Sequence, residues 1–496
     1  MEAHEAAVSA ISTRVQIFYQ KNTPFRLYHG STNSTRHRKV DRNQMIDTSG
    51  LNHVLGIDWE KKTCLVEPNV AMDELVNAVM PHGLLPPVVM EFPGITVGGG
   101  FAGTAGESSG FRYGFFDSTI NWIEVVLPTG EIVTASPDKL SDLFYGAAGT
   151  FGTLGVTTLF EIQLVDSKSY VELTYHPVTS VADALATIQT VTKDSTVDYV
   201  DGILFSLDRG VVVSGRLTDQ FIPHQNFRRF SRAQDPWFYI HVDRTASRQM
   251  ELVKEITPTR DYLFRYDRGA FWTGKYAFDY FMMPFNRVTR WALDYFMHTR
   301  VMYHALYASG HASKYIVQDL LLPEPNAADF IQFVSTKFGF WPLWLCPMKV
   351  DKQISMRPDL ANGTYDKDKT ISFMNVGVWG PGPTKYERFV EVNRQLEHKV
   401  RELGGIKWLY AQAYYTEDEF WNIYDWKWYN DLRERFSATH LPDVYRKVRV
   451  DMSKMSRSSE TWSERLQSLA WGIWPVSGLY GVFMTLYERD YLLGQE

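Results

Sequence analysis

Between Val70 and Met80 the apolar residues recur every three or four positions. Met72, Leu75, Val76 and Val79 fall on one face, and Gly83 stands where the turn must stop. That period predicts an amphipathic helix. Residues 1–20 carry a similar pattern and predict a short N-terminal helix. Short apolar runs predict strands at Phe25–Tyr28, Gln44–Asp47, Thr63–Glu67, Trp122–Leu127, Glu131–Thr134 and Val156–Val165. Pro128-Thr129-Gly130 reads as the turn joining two of them. Small-residue and glycine-rich loops follow Tyr28, span Pro81 to Gly110, and precede Val156. Residues 21–168 therefore predict one α+β unit.

From about Tyr170 the texture changes. Glycine becomes sparse and aromatics gather at Phe264–Tyr303, Phe333–Trp344 and Trp408–Tyr429. Residues 169–450 are read as a second, substrate-binding unit. A third piece, 451–496, opens with a Ser/Lys/Arg-rich linker, Asp451–Ser459, and continues into Leu466–Tyr487, which has no charged residue.

Composition narrows the classes. With 496 residues, 45% hydrophobic and 22% charged, the chain is neither disordered nor collagen-like. A net charge of −6 argues against a nucleic-acid partner, which calls for a basic face. Two cysteines, Cys64 and Cys346, make no disulfide framework and fit a reducing compartment. The N-terminus shows no apolar signal-peptide core, so no secretory signal is expected. The 13 histidines show no tight ligand spacing, so no metal is expected. An aromatic content of 15% suits large flat ligands or a membrane surface as well as bulky cores.

Three motifs carry candidate chemistry. His29-Gly30-Ser31-Thr32-Asn33-Ser34-Thr35-Arg36 combines small residues, hydroxyls and an arginine, a set that suits a backbone nest for phosphate oxygens as well as an ordinary polar loop. In Thr96–Thr104, Gly98, Gly100 and Gly103 match G-x-G-x-x-G. Pro93 and Gly94 break the strand that a Rossmann reading needs, whereas glycine backbone lying against a large cofactor still fits. Gly149–Val156 is a G-T-x-G turn leading into a strand.

Together these loops resemble FAD proteins of the vanillyl-alcohol-oxidase type, and within them the delta-24-sterol reductase family. Gly98–Gly114 (GGGFAGTAGESSGFRYG), Ser141–Tyr145 and Gly152–Gly155 resemble family segments. So do Gly202–Asp208, Pro236–Phe238, Val317–Asp319, Trp344–Pro347 and Tyr410–Trp421. The resemblance covers roughly residues 25–450. It implies an α+β fold, with a PCMH-type FAD-binding domain of two α/β subdomains and an α+β substrate cap. It also implies non-covalent FAD, NADPH as reductant, and reduction of a sterol side-chain double bond. Cofactor contact is expected from Gly30, Ser31, Thr32, Asn33, Ser34, Thr96, Gly98, Gly99, Gly100, Gly103, Thr104, Glu107, Ser108, Tyr113, Gly114, Gly152, Thr153 and Gly155. Gln412 stands where the family has Asp, and the family's N-terminal membrane helix has no counterpart here.

Saturating an alkene takes a hydride and a proton. Proton-donor candidates are Tyr410, Tyr414, Asp319 and Lys314. The spacing of the two tyrosines puts them on one helical face, or on one strand face by alternation. Their alternative role is core packing, and Asp319 has a purely structural alternative. Glu124 is a candidate for holding the cofactor or for a strand-face salt bridge. Two rival functions remain open: an alcohol or lactone oxidase of the same fold using O2, and a non-catalytic lipid-binding flavoprotein. The tail stripe Leu466, Leu469, Ile473, Val476, Tyr480, Phe483 and Tyr487 is compatible with spanning a bilayer, lying in its interface, or docking on the body. With a sterol substrate this points to a membrane surface as partner and to the cytoplasmic face of the endoplasmic reticulum, or a peripheral cytoplasmic location.

Overall fold

The computed structural model describes residues 1–30, 41–221, 226–248, 251–350, 372–450 and 474–488. Two sheets organise it. The first has five antiparallel strands in the order Val54–Asp58, Thr63–Val66, Val156–Gln163, Ile120–Val126, Ile132–Ala135. A two-stranded parallel pair, Arg26–Tyr28 with Met45–Asp47, lies beside it in sequence. Helix Met72–Val79 buries Met72, Leu75, Val76 and Val79. Gly83 closes the turn that follows with φ of 72°, a left-handed conformation that glycine adopts without steric cost. The N-terminal helix, Glu2–Gln20, buries Val8, Ile11, Val15 and Phe18 at helical spacing. It is pinned by buried His4, which pairs with Glu67 at 2.7 Å and Glu124 at 3.2 Å. Glu124 also accepts from the Thr158 hydroxyl at 2.7 Å. It therefore holds the helix, not a cofactor.

The second sheet has nine strands, running from Asn226–Phe227 through Tyr170–Val178, Tyr199–Ser206 and Leu343–Lys349 to Ser372–Pro381, Tyr315–Pro323 and Ile406–Lys407. Its faces serve two cores, as the pleat dictates. Leu320, Leu322, Val376 and Val378 pack under helices Val181–Val191, Ala327–Phe338 and Tyr386–Glu402. Leu321, Trp344, Cys346 and Trp379 face the first unit and join its core.

After Lys407 the chain returns to the first unit. The Tyr429 hydroxyl donates to Thr153 at 2.8 Å, and a Cβ on Gly146 would lie 2.7 Å from Leu432. Residues 417–448, grouped with the second unit by their aromatic texture, thus complete the wall of the first.

Of the uncharged tail, Leu466, Leu469 and Ile473 lie outside the described residues. Helix Val476–Glu488 packs on helix Thr299–Ala308. The stripe is not what docks. Ser477 and Thr485 are buried, and Gly478 and Gly481 make the close approach, while Phe483 and Tyr487 point outward. Small residues let two helices come close, which bulky ones prevent. Among the described residues no helix is long and apolar enough to cross a membrane.

Candidate functional site

A cavity of about 690 Å³ opens between the two units, within the range of small-molecule sites. One wall is glycine. The stretch expected to be a loop is a helix, Val97–Gly103, whose N-cap Thr96 accepts from the Gly99 amide. Glycine weakens a helix by roughly 1 kcal/mol per residue against alanine, so its repetition here reflects close packing. A Cβ on Gly98 would lie 2.9 Å from Pro68, and one on Gly100 2.2 Å from Met90. Of the residues proposed to contact the cofactor, Thr96, Gly98, Gly99, Gly100, Gly103 and Gly152 border the cavity.

Other expected contacts lie elsewhere. Glu107 and Ser108 are buried in a separate polar network. There Arg265 lies 3.8 Å from Glu107 and 2.8 Å from Asp201, and Tyr262 donates to Ser108. Burial first, then the Asp201 charge, raises the Glu107 carboxyl against the pull of Arg265. Thr153 is fully buried and accepts from Tyr429. Gly155 serves the turn: its φ is 149°, and a Cβ would meet the Val126 carbonyl at 2.7 Å. Tyr113 packs against the core, Gly114 ends a short helix at φ of 76°, and Thr104 caps another in the left-handed region. Gly30 is a left-handed turn residue at φ of 70°, beside His29 in the cavity wall. Ser31, Thr32, Asn33 and Ser34 lie outside the described residues.

The same cavity holds the acid candidates Asp319 and Tyr410. Asp319 lies on strand Tyr315–Pro323, directly across from Gly377. The missing side chain there leaves room for the carboxylate, since a Cβ would stand 3.1 Å from its Oδ1. The residues two before and two after Gly377 share its face. Asn375 Nδ2 donates to Asp319 Oδ1 at 2.9 Å, and Trp379 Nε1 donates to Oδ2 at 3.3 Å. The Tyr410 hydroxyl donates to the same Oδ2. Burial raises Asp319 to about 6, against the pull of these three donors. Burial and the Asp319 charge push the Tyr410 phenol well above its ordinary value, so it stays protonated.

Tyr410 and Tyr414 share neither a helix face nor a strand face. Residues 408–416 are irregular, with a single bridge at Ala413. Both side chains border the cavity, but Tyr414 donates to Gln412 Oε1 at 3.0 Å and packs in the second core. A buried ion pair, Lys407 with Glu397 at 2.7 Å, anchors the segment, because Glu397 also accepts from the Tyr414 amide. Lys314 is exposed and does not border the cavity.

Sequence reasoning missed several wall residues. Glu91 borders the cavity. Burial, with the neighbouring Glu107 and Asp319 charges, raises its pKa well above the ordinary range. The glutamate was hidden in a Pro-rich stretch with no motif around it. Trp344, Trp379 and Trp408 supply flat apolar surface, and Arg26, Arg446, Lys447 and Arg449 supply cations. Lys447 donates to the Phe151 carbonyl at 2.5 Å. Glycine backbone, indole faces and guanidinium groups around one cavity suit a flavin dinucleotide, with its planar ring and paired phosphates.

The comparisons agree with this geometry. A family model described as an FAD binding domain matches residues 5–136. The chain is 29% identical over 421 residues to the Delta(24)-sterol reductase of Homo sapiens, covering 83% of this chain and 78% of that one. Against the enzyme of the same name from Arabidopsis thaliana it is 30% identical over 434 residues, covering 81% and 76%. A weaker likeness, 26% over 165 residues and a third of the chain, reaches cytokinin dehydrogenase 4 of Oryza sativa. The likeness to the reductases spans more than four fifths of the chain, so it extends beyond the first unit. With a glycine-walled cavity, a matching FAD-binding domain and similarity over four fifths of its length, this chain belongs to the Delta(24)-sterol reductase family.

Proposed function

We propose that this protein is an FAD-dependent reductase of a sterol or sterol-like side-chain C24–C25 double bond, with FAD held non-covalently and NADPH as reductant. The observation that carries the reading is the Tyr410–Asp319 pair in the wall of the glycine-lined cavity, with Tyr410 beside Gly103. When bound and reduced, FAD supplies hydride to one alkene carbon. The protein's own task is then the proton.

Tyr410 would supply its O–H proton to the alkene carbon that does not receive hydride. Asp319, near 6, re-supplies that proton along their hydrogen bond. Asn375 and Trp379 fix the carboxylate on the other side. Burial and the neighbouring carboxylates raise the Glu91 carboxyl, which favours its uncharged form beside an apolar side chain. The tryptophans and Phe271 exclude water, with Phe271 and Trp379 centroids 4.3 Å apart. A sterol substrate is membrane-borne, so the reading extends to a body working at the cytoplasmic face of the endoplasmic reticulum or peripherally to it.

The test is turnover of a sterol panel by the purified holoprotein with NADPH, followed by mass spectrometry. A product heavier by two hydrogens supports the reading. Peroxide production with an alcohol, and no reduced sterol, overturns it in favour of an oxidase.

A further inference from the structure

The C-terminal helix is docked with its polarity inverted. Its inward face is small and polar: Ser477 hydrogen-bonds to His311 at 3.1 Å and Thr485 to His304 at 3.1 Å. Any side chain at Gly478 would clash with Tyr280 at 2.4 Å, and any at Gly481 with the Ala305 carbonyl at 2.5 Å. Its outward face is apolar. Leu479 is 57% exposed, Phe483 61% and Tyr487 74%, with Leu486 and Trp474 also open. No charged residue falls between Trp474 and Tyr487. In a water-facing helix the polarity runs the other way.

Cations adjoin this face in the chain. From Phe281, which meets Gly478, the chain runs through exposed Met282 and Met283 to helix Arg287–Ala292. That helix exposes Val288 and Trp291 together with Arg287. Arg290 feels the like charge of Arg287 and of Arg244; it is itself buried, whereas Arg287 and Arg244 are exposed. Aliphatic and indole side chains with arginines beside them are what an anionic lipid interface accepts. The docked helix and the cavity share one neighbouring element. Helix Thr299–Ala308 turns His304 and Ala305 toward the docked helix and Tyr303 into the cavity wall.

We infer that the outward face of helix Val476–Glu488, with the Met282–Trp291 segment, seats on an anionic lipid bilayer and brings the cavity to the membrane from which substrate is drawn. The inference rests on the proposed sterol reading for its purpose, but its test does not require turnover. Full-length holoprotein is sedimented with vesicles of phosphatidylcholine alone and of phosphatidylcholine with phosphatidylserine. Wild type is expected to co-sediment, more strongly with the anionic vesicles. Leu479→Glu/Phe483→Glu should weaken partitioning roughly tenfold or more, since two apolar groups leave the interface. Both positions are more than half exposed, so flavin content and turnover of detergent-delivered sterol should hold. Leu486→Ser/Tyr487→Ser is the milder second pair, expected to act in the same direction. Arg244→Glu/Arg287→Glu should remove only the preference for anionic vesicles.

Wild type that stays in the supernatant with both vesicle types overturns the inference. So does sedimentation of both apolar-face variants at the wild-type level. A change of oligomeric state in the variants, without loss of vesicle binding, makes the face an interface between copies. Vesicle binding that persists where no sterol is reduced refutes the functional reading and leaves the docking surface standing.

Discussion

Replacing Tyr410 by Phe removes one oxygen and, with it, one of the three side-chain donors to Asp319. Two consequences follow, with different signatures. If the phenol delivers the proton, alkene reduction should fall by about 10²–10⁴-fold, the usual contribution of a positioned acid. Reduction of the flavin by NADPH needs no such proton and should stay near the parental rate. The second consequence concerns pH. Asp319 already sits near 6 because burial outweighs its hydrogen bonds. A hydrogen bond to a charged group contributes about 1.5–3 kcal/mol, and roughly 1.4 kcal/mol corresponds to one pH unit. Losing the Tyr410 bond should therefore move the Asp319 inflection up by about 1–2 units.

The assay is the pH dependence of kcat/KM for sterol, measured beside stopped-flow flavin reduction. In the parent, sterol reduction should decline as pH rises through about 6, because the relay is loaded only while Asp319 holds its proton. In Tyr410→Phe the residual rate should decline at a higher pH. Parental sterol turnover with an unmoved inflection would refute both the donor assignment and the coupling behind it.

Other expectations follow from neighbouring features. Gly103→Trp should abolish flavin loading, because Gly103 borders the cavity with the Tyr410 Cβ 3.6 Å from where its own Cβ would lie; absorbance of the purified variant checks this. Acid or heat should release the flavin of the wild type into the supernatant. Lys407→Met leaves Glu397 buried without its cation and should cost about 3–5 kcal/mol in denaturant unfolding. For His298, burial opposes the charge, but hydrogen bonds with Asp267 and Asp294 carry it from 6.5 to about 9. The folded protein then holds more protons than the unfolded chain between those values, so this contribution is complete below about 6.5 and is lost as pH rises toward about 9. Melting temperatures should fall across that window, and His298→Gln should flatten the fall.

Local periodicity made much of the first unit legible. Helix Met72–Val79 and its Gly83 stop follow from spacing alone, because one face must be buried and one residue must turn left-handed. The glycine-rich segment was legible as a close approach but not as a helix, since four glycines in seven residues contradict propensity and only tertiary packing overrides it. The acid pair was legible as residue types but not as a pair. Asp319 and Tyr410 are 91 positions apart, and the sheet register that places Gly377 opposite Asp319 leaves no local trace. The seven-residue tail stripe left three fates open, and spacing could not show which face makes the joint: glycine and hydroxyl residues pack inward, while Val476, Tyr480, Phe483 and Tyr487 turn outward. Glu91 and the basic residues at 446–449 carry no pattern of their own and become a site only when the chain returns to the first unit.

The central claim is that reduced flavin in this cavity passes its electrons to a sterol alkene. The direct measurement is anaerobic. Holoprotein is first reduced by NADPH until its yellow colour is bleached, and a Δ24 sterol is then added with oxygen excluded. The account predicts return of the oxidised flavin spectrum, with one saturated sterol formed per flavin reoxidised, and a much slower return with little product in Tyr410→Phe. A bleached flavin that no sterol reoxidises, but that oxygen restores at once with peroxide, would contradict it.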